Sequence, residues 1–323
     1  MFDDKIILLT GGTGSFGQKF TEVMVKKYSP KVIRIFSRDE LKQWEMHKKF
    51  NDDRVLRFFI GDIRDKDRLD RAMDDVDIVV HSAALKQVPV CEYNPFEAIK
   101  TNIFGAQNVI EAAINHNVKK IIAISTDKSV SPINLYGATK LCMEKLFIAA
   151  NSYVGKRDTR MSCVRYGNVV GSRGSVIPLF KEQKNTGKIT VTHECMTRFW
   201  LTLEQGVEFV IKCTKLMTGG EVFVPKIPSM RIVDLAEVIA PECKIEFTGI
   251  RPGEKINECL LTEDEARHTK EFEEFFIIEP ELLSGYDKIL KEGKFLPEGF
   301  RYSSETNNWW LTKEELKNII EGI

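Results

Sequence analysis

The chain lacks an excess of either charge. Its 323 residues include 47 basic and 47 acidic side chains, so the formal net charge is zero. A neutral chain has no overall field that would attract a nucleic acid or an anionic membrane, and any recognition of phosphate must be local. We therefore expect a small-molecule partner and no nucleic-acid partner.

Cysteine patterns typical of disulfide frameworks and zinc sites are also lacking. The chain has seven cysteines, an odd number, and no two of them form a C-x-x-C pair. Secreted disulfide-rich domains and zinc sites have regular pairs at short spacing, so both classes are disfavoured. A reducing cytoplasm fits this usage, and we expect no metal.

Long apolar runs are absent as well. No run approaches the roughly 18 residues of a membrane span, and the first residues lead directly into a strand pattern without a basic leader region. We therefore expect a cytoplasmic protein without membrane contact.

The first informative pattern is a strand, a glycine turn and a helix, in that order. The apolar run Lys5–Thr10 breaks into Gly11-Gly12-Thr13-Gly14-Ser15-Phe16-Gly17, and a helix-like stretch follows to Lys27. Small residues let the backbone approach a pyrophosphate, and a helix amino terminus offers unpaired N–H groups. The spacing fits G-x-G-x-x-G from Gly12 or G-x-x-G-x-x-G from Gly11, and it predicts a dinucleotide cofactor.

The end of the second predicted strand bears on the type of cofactor. Lys31–Phe36 ends at Ser37 and Arg38, about 20 residues beyond the glycines, where an NAD site has an acid for the ribose 2′-hydroxyl. A hydroxyl and a guanidinium favour a 2′-phosphate instead, hence NADP. Asp39 could still be that acid, displaced along the chain, or only a helix cap.

Strand and helix patterns continue to alternate as far as residue 166. Strands are predicted over 55–60, 77–81, 119–124 and 161–166, with a long helix from Phe96 to His116. This alternation predicts an α/β fold, a doubly wound parallel sheet of the Rossmann type. We expect a cofactor domain over 1–170 and a smaller α/β substrate domain over 171–323, some segments of which can return to the first. Asp62 could bind adenine or cap the next helix, and His81 is interpreted as a core residue.

Three proton-transfer side chains follow the fifth strand. Ser125-Thr126-Asp127-Lys128 comes at its carboxyl end, where open α/β sheets bind ligands. Tyr136 and Lys140 are four residues apart, so on a helix they share a face, and the ammonium can favour the tyrosinate. A tyrosine of pKa about 10 becomes a usable base only with such help. The alternative is that both are ordinary helix-surface residues.

Two later arginines are candidates for binding a second ligand. Arg198 and Arg251 lie in aromatic or turn-rich settings, which suits a second, anionic ligand. The alternative for both is a solvated surface charge.

Together these motifs resemble the extended short-chain dehydrogenase/reductase superfamily. Within it, the chain is similar to the inverting UDP-N-acetylglucosamine 4,6-dehydratases, which open pseudaminic acid synthesis, from Lys5 to about Pro280. The runs that carry this likeness are Ser37–Gln43, Ala83–Pro89, Ser125–Lys128, Arg165–Ser175 and Arg251–Lys255. Membrane-anchored relatives have transmembrane segments ahead of this domain, and we expect none here. Family members form dimers or hexamers, so a homo-oligomer is expected.

The resemblance implies the ligand contacts. NADP would be held by Thr13, Gly14, Ser15, Phe16, Ser37, Arg38, Asp39, Glu40, Leu41, Lys42, Asp62, Ile63, Ala83, Lys86, Tyr136 and Lys140. UDP-N-acetylglucosamine would be held by Lys86, Asn168, Val176, Ile177, Pro178, Leu179, Phe180, Arg198, Arg251, Pro252, Gly253 and Glu254.

The resemblance also implies the chemistry. Tyr136 would take the proton of the sugar 4-hydroxyl while C4 gives hydride to NADP. Lys128 would remove the acidified C5 proton, and Asp127 would protonate the departing 6-hydroxyl. Return of hydride to C6, and of a proton to the opposite face of C5, gives UDP-2-acetamido-2,6-dideoxy-β-L-arabino-hex-4-ulose. Lys128 must be neutral for this step, and burial and the cation Lys140 are expected to lower its pKa from about 10.4 toward about 7–8.

Rival functions remain open on sequence alone. Sugar-nucleotide 4-epimerases share the fold and the Tyr-x-x-x-Lys pair but have no use for an acid and a base at 127 and 128. Retaining 4,6-dehydratases resemble this site with a glutamate at the position of Lys128. Some proteins of this fold bind NADP as redox sensors without catalysis, and those typically lack the tyrosine and lysine.

The choice of cofactor gives a first prediction. Arg38→Asp should weaken NADP binding far more than NAD binding, because it removes a partner of the 2′-phosphate and adds a repelling charge. Titration calorimetry with both cofactors measures the two losses. Equal losses for NADP and NAD would refute the assignment.

Overall fold

The apolar runs of the sequence form the strands of one large sheet and several small ones. A computed structural model describes residues 1–51, 54–171, 176–281 and 292–322. Its strands are β1 (Ile6–Thr10), β2 (Val32–Ser37), β3 (Leu56–Ile60), β4 (Ile78–His81), β5 (Lys120–Ile124), β6 (Arg160–Val164), β7 (Asn168–Val169), β8 (Lys188–Val191), β9 (Thr197–Leu201), β10 (Val222–Pro225), β11 (Ser229–Arg231), β12 (Lys244–Phe247), β13 (Cys259–Leu261), β14 (Thr269–Glu271), β15 (Phe275–Ile278), β16 (Lys294–Phe295) and β17 (Tyr302–Ser303).

Helices connect the parallel strands and cover both faces of the large sheet. They are α1 (Ser15–Lys27), α2 (Glu40–Phe50), α3 (Lys66–Met73), α4 (Val88–Tyr93), α5 (Pro95–Ile99), α6 (Gly105–Asn115), α7 (Leu135–Ala150), α8 (Val176–Gln183), α9 (Leu203–Leu216), α10 (Ile232–Ile239), α11 (Glu263–Ala266) and α12 (Lys313–Glu321). No helix in the described ranges has both the length and the apolar character needed to cross a membrane.

The order of strands in the large sheet places the ligand crevice. The ten strands are arranged as β16-β14-β15-β10-β6-β5-β4-β1-β2-β3. Pairings from β3 through β10 are parallel, and β15, β14 and β16 add an antiparallel edge. The predicted doubly wound sheet is confirmed. The chain reverses its direction of travel across the sheet between β1 and β4, so their carboxyl ends open a crevice at the switch point.

The predicted helix from Phe96 to His116 is interrupted. Its middle, Lys100–Phe104, is a π-helix between α5 and α6. There Asn102 accepts from Leu85 N at 2.8 Å and donates to Leu85 O at 2.9 Å and Thr139 Oγ1 at 3.0 Å. π-Helical turns occur frequently at functional sites, and this one joins the loop after β4 to helix α7.

Two large hydrophobic cores lie within the described residues, beside a small third cluster of Cys91, Ala98 and Tyr136. The larger one surrounds the main sheet, and the smaller one joins α8, α10 and α12 to the small sheets through Phe180, Trp200, Leu235 and Leu316. The division at residue 170 stays a prediction. Strands β10, β14, β15 and β16 come after that residue and pair within the large sheet.

His81 at the end of β4 is a core residue, as the sequence indicated. It is fully buried and its Nδ1 lies 2.8 Å from Thr10 Oγ1. Burial lowers the pKa of His81 to about 3, so it is neutral at ordinary pH and takes no part in the proton transfers considered below.

Candidate active site

A crevice of about 1310 Å³ runs along the carboxyl ends of the parallel strands. It begins at the glycine turn, passes the end of β5 and reaches the rim at Arg251. Most of the predicted site residues line it: Thr13, Gly14, Ser15, Phe16, Ser37, Arg38, Asp39, Lys42, Asp62, Ile63, Ala83, Lys86, Asp127, Lys128, Tyr136, Lys140, Asn168, Val176, Pro178, Leu179, Phe180, Arg198, Arg251 and Glu254.

Five predicted contacts are not part of that lining. Glu40 and Leu41 are exposed on α2, and Pro252 and Gly253 lie in a turn behind Arg251. Ile177 is buried in the smaller core, because it lies on the face of α8 that packs away from the crevice.

The glycine turn leaves room for a phosphate group. Gly11 has a φ of +68°, and a Cβ there would lie 2.9 Å from the backbone of Ala83. A Cβ on Gly17 would lie 2.3 Å from Gly12 O, so the helix can approach the strand only without one. Gly14 precedes α1 without a side-chain cap, and no acidic residue lies in the first turn. The positive end of this helix therefore faces the crevice and suits a pyrophosphate.

The end of β2 presents basic groups to the crevice. The Asp39 carboxylate caps α2 by accepting from Lys42 N at 3.0 Å, and Lys42 Nζ lies 2.5 Å from Asp39 Oδ2. Those bonds to Lys42 lower the pKa of Asp39. Of the two roles left open for Asp39, the structure shows the helix cap. Arg38 is half-exposed, and its guanidinium lies 3.7 Å from Asp62.

Asp62 is not a helix cap. The cap of α3 is Asp65, whose carboxylate accepts from Arg68 N. Asp62 instead accepts from Arg64 N at 2.9 Å and from the Arg64 guanidinium at 2.7 Å. Burial raises the pKa of Asp62, but these bonds outweigh it and the pKa is lowered. A carboxylate acceptor, with its charged form favoured, therefore lies at this end of the crevice.

Asp127 lies at the centre of the crevice, on a 3₁₀ turn that directly follows β5. It is buried, and its Oδ1 accepts from Thr126 Oγ1 at 2.8 Å and from Lys128 Nζ at 3.1 Å. Its second oxygen, Oδ2, is buried and has no hydrogen-bond partner among the described residues. A buried carboxylate oxygen that lacks a donor fits a ligand hydroxyl.

Lys128 is held between two carboxylates. Its Nζ lies 3.1 Å from Asp127 Oδ1 and 3.2 Å from Glu258 Oε1. Burial alone would lower the pKa of Lys128, but these two charges outweigh burial and hold the pKa above its ordinary value. The predicted lowering of the Lys128 pKa is therefore wrong for the site without ligands. The cation that opposes the raised pKa is Arg198, not Lys140.

Tyr136 and Lys140 lie on α7 as predicted, but the tyrosine is influenced by a different lysine. Burial raises the pKa of Tyr136 to about 12, with a contribution from Asp127, while the charge of Lys128 and a bond to Thr126 lower it. Lys140 donates to Ile124 O at 2.5 Å, and burial lowers the pKa of Lys140 to about 8. Both side chains are buried, so the alternative of ordinary surface residues is wrong.

Glu144, on α7, joins this helix to the ends of β5 and β6. Its Oε1 accepts from Ser125 Oγ, from Ser129 Oγ at 2.8 Å and from Arg165 Nε at 2.9 Å. Arg165 also reaches Glu265 at 2.7 Å. Sequence reasoning missed this network, although a glutamate within the apolar pattern of α7 is a signal that a buried charge needs a partner.

Arg198 is buried rather than solvated, so the surface-charge alternative is wrong for it. Its guanidinium donates to Lys255 O at 2.9 Å and to Ile256 O at 2.8 Å, and lies 3.6 Å from Glu254. The arginine therefore braces the loop that carries Arg251, which is exposed at the rim.

Buried polar atoms also occur on Asn168 and Trp200, which line the crevice, and on Glu258, which is outside the lining but contacts Lys128. Asn168 Oδ1, Trp200 Nε1 and Glu258 Oε2 are buried without a hydrogen-bond partner in the described part of the chain. Asn168 was predicted from the resemblance, whereas Trp200 and Glu258 were not. Glu258 follows the Arg251–Lys255 run by three residues, and an acid at the start of the apolar strand β13 is the only signal for it. Within the described residues, no group of three or more His, Cys, Asp or Glu side chains could hold a metal.

Comparisons with known proteins agree with this arrangement. The family of polysaccharide biosynthesis proteins matches residues 7–280. The chain is 51% identical to a Campylobacter jejuni protein named UDP-N-acetylglucosamine 4,6-dehydratase (inverting), over 99% of this chain and 98% of the relative. It is 42% identical to a Rickettsia conorii protein named UDP-glucose 4-epimerase, over 99% of this chain and 96% of the relative. The X-ray structure of Pen from Bacillus thuringiensis matches with a TM-score of 0.91 at 44% identity, over 100% and 98% of the two chains.

Gly137, next to Tyr136, gives a prediction about packing at the site. A Cβ there would lie 2.0 Å from Lys128 O, which is backbone and cannot turn aside. Gly137→Ala should therefore destabilise the fold by about 1–3 kcal/mol, measured by urea unfolding. Gly206→Ala is the matched control, since its Cβ meets only Leu201 at 3.5 Å and helix propensity favours alanine. Equal stability of the two variants would contradict the close approach.

Proposed function

The chain belongs to the family of polysaccharide biosynthesis proteins, and from that premise we propose that it is a UDP-N-acetylglucosamine 4,6-dehydratase (inverting), a hydro-lyase. Its product is UDP-2-acetamido-2,6-dideoxy-β-L-arabino-hex-4-ulose, made in the first step of pseudaminic acid or related glycan synthesis. The observation that carries the proposal is the contact between Asp127 and Lys128 beside Tyr136. An acid and a base at one point are what removal of water requires.

The cofactor is a nicotinamide dinucleotide, and we propose NADP. The glycine turn before α1 supports a dinucleotide, and Arg38 and Lys42 at the end of β2 support its 2′-phosphate. Asp39, the acid at this position, already accepts a hydrogen bond as the cap of α2. When bound, the cofactor supplies reversible oxidation at the sugar C4 and returns hydride at C6. Tyr136 and Lys140 line the same part of the crevice.

The protonation states of the Asp127 and Lys128 pair set the requirement for removal of the C5 proton. Without ligands, Lys128 is an ammonium and cannot remove the C5 proton. Transfer of one proton from Lys128 Nζ to Asp127 Oδ1, across 3.1 Å, gives a neutral amine and a carboxylic acid. These are the forms that the C5 base and the 6-hydroxyl acid must have. One transfer therefore prepares both groups.

Tyr136 acts on the 4-hydroxyl. With a pKa raised by burial to about 12, it needs positive charge nearby to lose its proton. In this structure Lys128 provides that charge, so Tyr136 can take the 4-hydroxyl proton only while Lys128 is still charged. Once Lys128 becomes neutral, Tyr136 holds its proton more tightly, so the order of steps is oxidation first and proton removal from C5 afterwards.

The UDP-sugar would occupy the part of the crevice between β9 and the rim. Arg251 is exposed there and can approach a diphosphate, while Asn168 and Trp200 offer buried polar atoms that have no hydrogen-bond partner among the described residues. Val176, Pro178, Leu179 and Phe180 supply the apolar wall of the same region.

A sugar-nucleotide 4-epimerase is the second candidate, because the Rickettsia conorii relative has that name. Incubation with UDP-N-acetylglucosamine, followed by mass spectrometry, separates the two. A dehydratase product has lost one water, whereas an epimerase product keeps the substrate mass.

Stereochemistry at C5 gives the decisive prediction. In D₂O the wild-type protein should place deuterium at C5 and yield the L-arabino 4-keto sugar, identified by proton couplings in NMR of the early product. Lys128→Ala should form no dehydrated sugar, because one general base is lost. Reduced cofactor should still form on the protein, but more slowly and at higher pH, because Tyr136 also loses the neighbouring charge that lowers its pKa. An early product of D-xylo configuration would instead indicate a retaining enzyme.

We also propose a cytoplasmic homo-oligomer, a dimer or a hexamer. All seven cysteines are free, which fits a reducing compartment. Tyr93 and Phe96, on the adjoining helices α4 and α5, are 86% and 76% exposed, and large exposed apolar side chains mark contact surfaces. Light scattering should give a multiple of the 37.0 kDa chain mass, lowered by Phe96→Glu. A wild-type monomer at micromolar concentration would contradict the proposal.

A further inference from the structure

Glu258 is a buried carboxylate that the mechanism above leaves without a role. Its side chain is 2% exposed, and Oε1 lies 3.2 Å from Lys128 Nζ and 3.8 Å from Arg198 Nε. Its other oxygen, Oε2, is buried and has no hydrogen-bond partner among the residues that the structure describes. Burial of a charged group without full hydrogen bonding lowers the stability of the fold. A carboxylate that is buried in this way is therefore a candidate for a functional role.

Hydrogen bonds to Ser304, and not to α7, hold the backbone at Glu258. Glu258 N donates to Ser304 Oγ at 3.0 Å, and Ser304 N donates to Glu258 O at 2.8 Å. Thr197 Oγ1 lies 2.6 Å from the same serine hydroxyl. These bonds tie Glu258 to the residue after β17 and to the start of β9. The carboxylate is therefore the fixed partner, and the flexible Lys128 side chain is the one that it can direct.

We propose that Glu258 is a positioning residue for the dehydration, whose carboxylate holds the Lys128 amine in the crevice opposite Asp127. The inference rests on the proposed function. Asp127 reaches the amine from the same turn of chain, and Glu258 reaches it from the start of β13. With a contact on each side, the amine keeps its place when Asp127 takes a proton and turns toward a departing hydroxyl.

Position and proton affinity of Lys128 are linked through the same contact. The charged or titratable groups that influence this amine are Asp127, Glu258, Arg198, Lys86 and Tyr136. Removal of the Glu258 charge leaves Asp127 as the one carboxylate paired with Lys128 among the described residues, and it keeps the opposing charge of Arg198. The neutral form of Lys128 should then be reached at lower pH.

Glu258→Gln keeps the shape of the side chain and removes its charge. Competitive acetylation of lysines with acetic anhydride, followed by mass spectrometry over a range of pH, reports the pKa of Lys128 without any turnover. We expect the Lys128 pKa to fall by about one unit or more in the variant. The acid limb of the dehydration rate should move to lower pH by the same amount, and the limiting rate should fall because the amine is less well placed.

Glu279→Gln is the matched control. Glu279 pairs with Lys270 at 2.8 Å in another largely buried lysine–glutamate contact, and neither residue lines the crevice. Its loss should leave the Lys128 pKa and the pH profile unchanged. An unchanged Lys128 pKa in folded Glu258→Gln protein would overturn the proposal.

Glu258→Asp covers the case in which the glutamine variant does not fold. It keeps the charge and withdraws it by one methylene, so we expect a lower limiting rate with little shift of the acid limb. A rate equal to that of the wild type would refute a positioning role. Because acetylation needs no substrate, a wild-type protein that shows the Lys128–Glu258 linkage but never dehydrates the sugar would overturn the proposed function and leave the contact established.

Discussion

The buried ion pair between Glu144 and Arg165 is the contact on which the geometry of the crevice depends. Glu144 lies on the helix that carries Tyr136 and Lys140, and the same carboxylate receives the hydroxyls of Ser125 and Ser129 on either side of Asp127. Loss of one partner of such a pair typically costs about 3–5 kcal/mol, because the other charge remains buried. The pair therefore fixes the helix and the strand end relative to each other, and with them Asp127, Lys128 and Tyr136.

Close backbone packing adds to this constraint. Gly137 allows α7 to approach the carbonyl of Lys128, and Asn102 in the π-helix bonds both Thr139 of α7 and the loop after β4. Helix α7 is thus held by three contacts: the close approach at Gly137, the Glu144–Arg165 ion pair and the hydrogen bond from the Asn102 amide. Reactive groups held on rigid elements keep the short distances that proton transfer needs.

Much of the fold was predictable from the sequence, and the electrostatics of the site were not. Six of the seven parallel strands follow from short apolar runs that end in glycine or polar residues, and their observed ends differ from the predicted ones by only a residue or two. The seventh, β10, was not predicted, because it comes after the regular alternation of strands and helices has ended. Tyr136, Lys140, Asp127 and Lys128 were found because their spacing is local. Glu258 was missed, since it reaches Lys128 from 130 residues further along the chain, and no local pattern shows which charges face each other after folding. The predicted lowering of the Lys128 pKa was wrong for the same reason.

The side chain of Asn134 serves two segments at once. Its oxygen accepts from Gly137 N at 2.8 Å and so begins the helix of Tyr136, while its nitrogen donates to Gly253 O at 2.8 Å in the loop that presents Arg251. A ligand that binds better when this loop is in place therefore also favours the capped form of the helix. By thermodynamic reciprocity, whatever stabilises the start of that helix must raise the affinity of the loop for the ligand by the same factor. The Asn134 amide therefore couples the position of the Arg251 loop and the start of the Tyr136 helix in a single equilibrium.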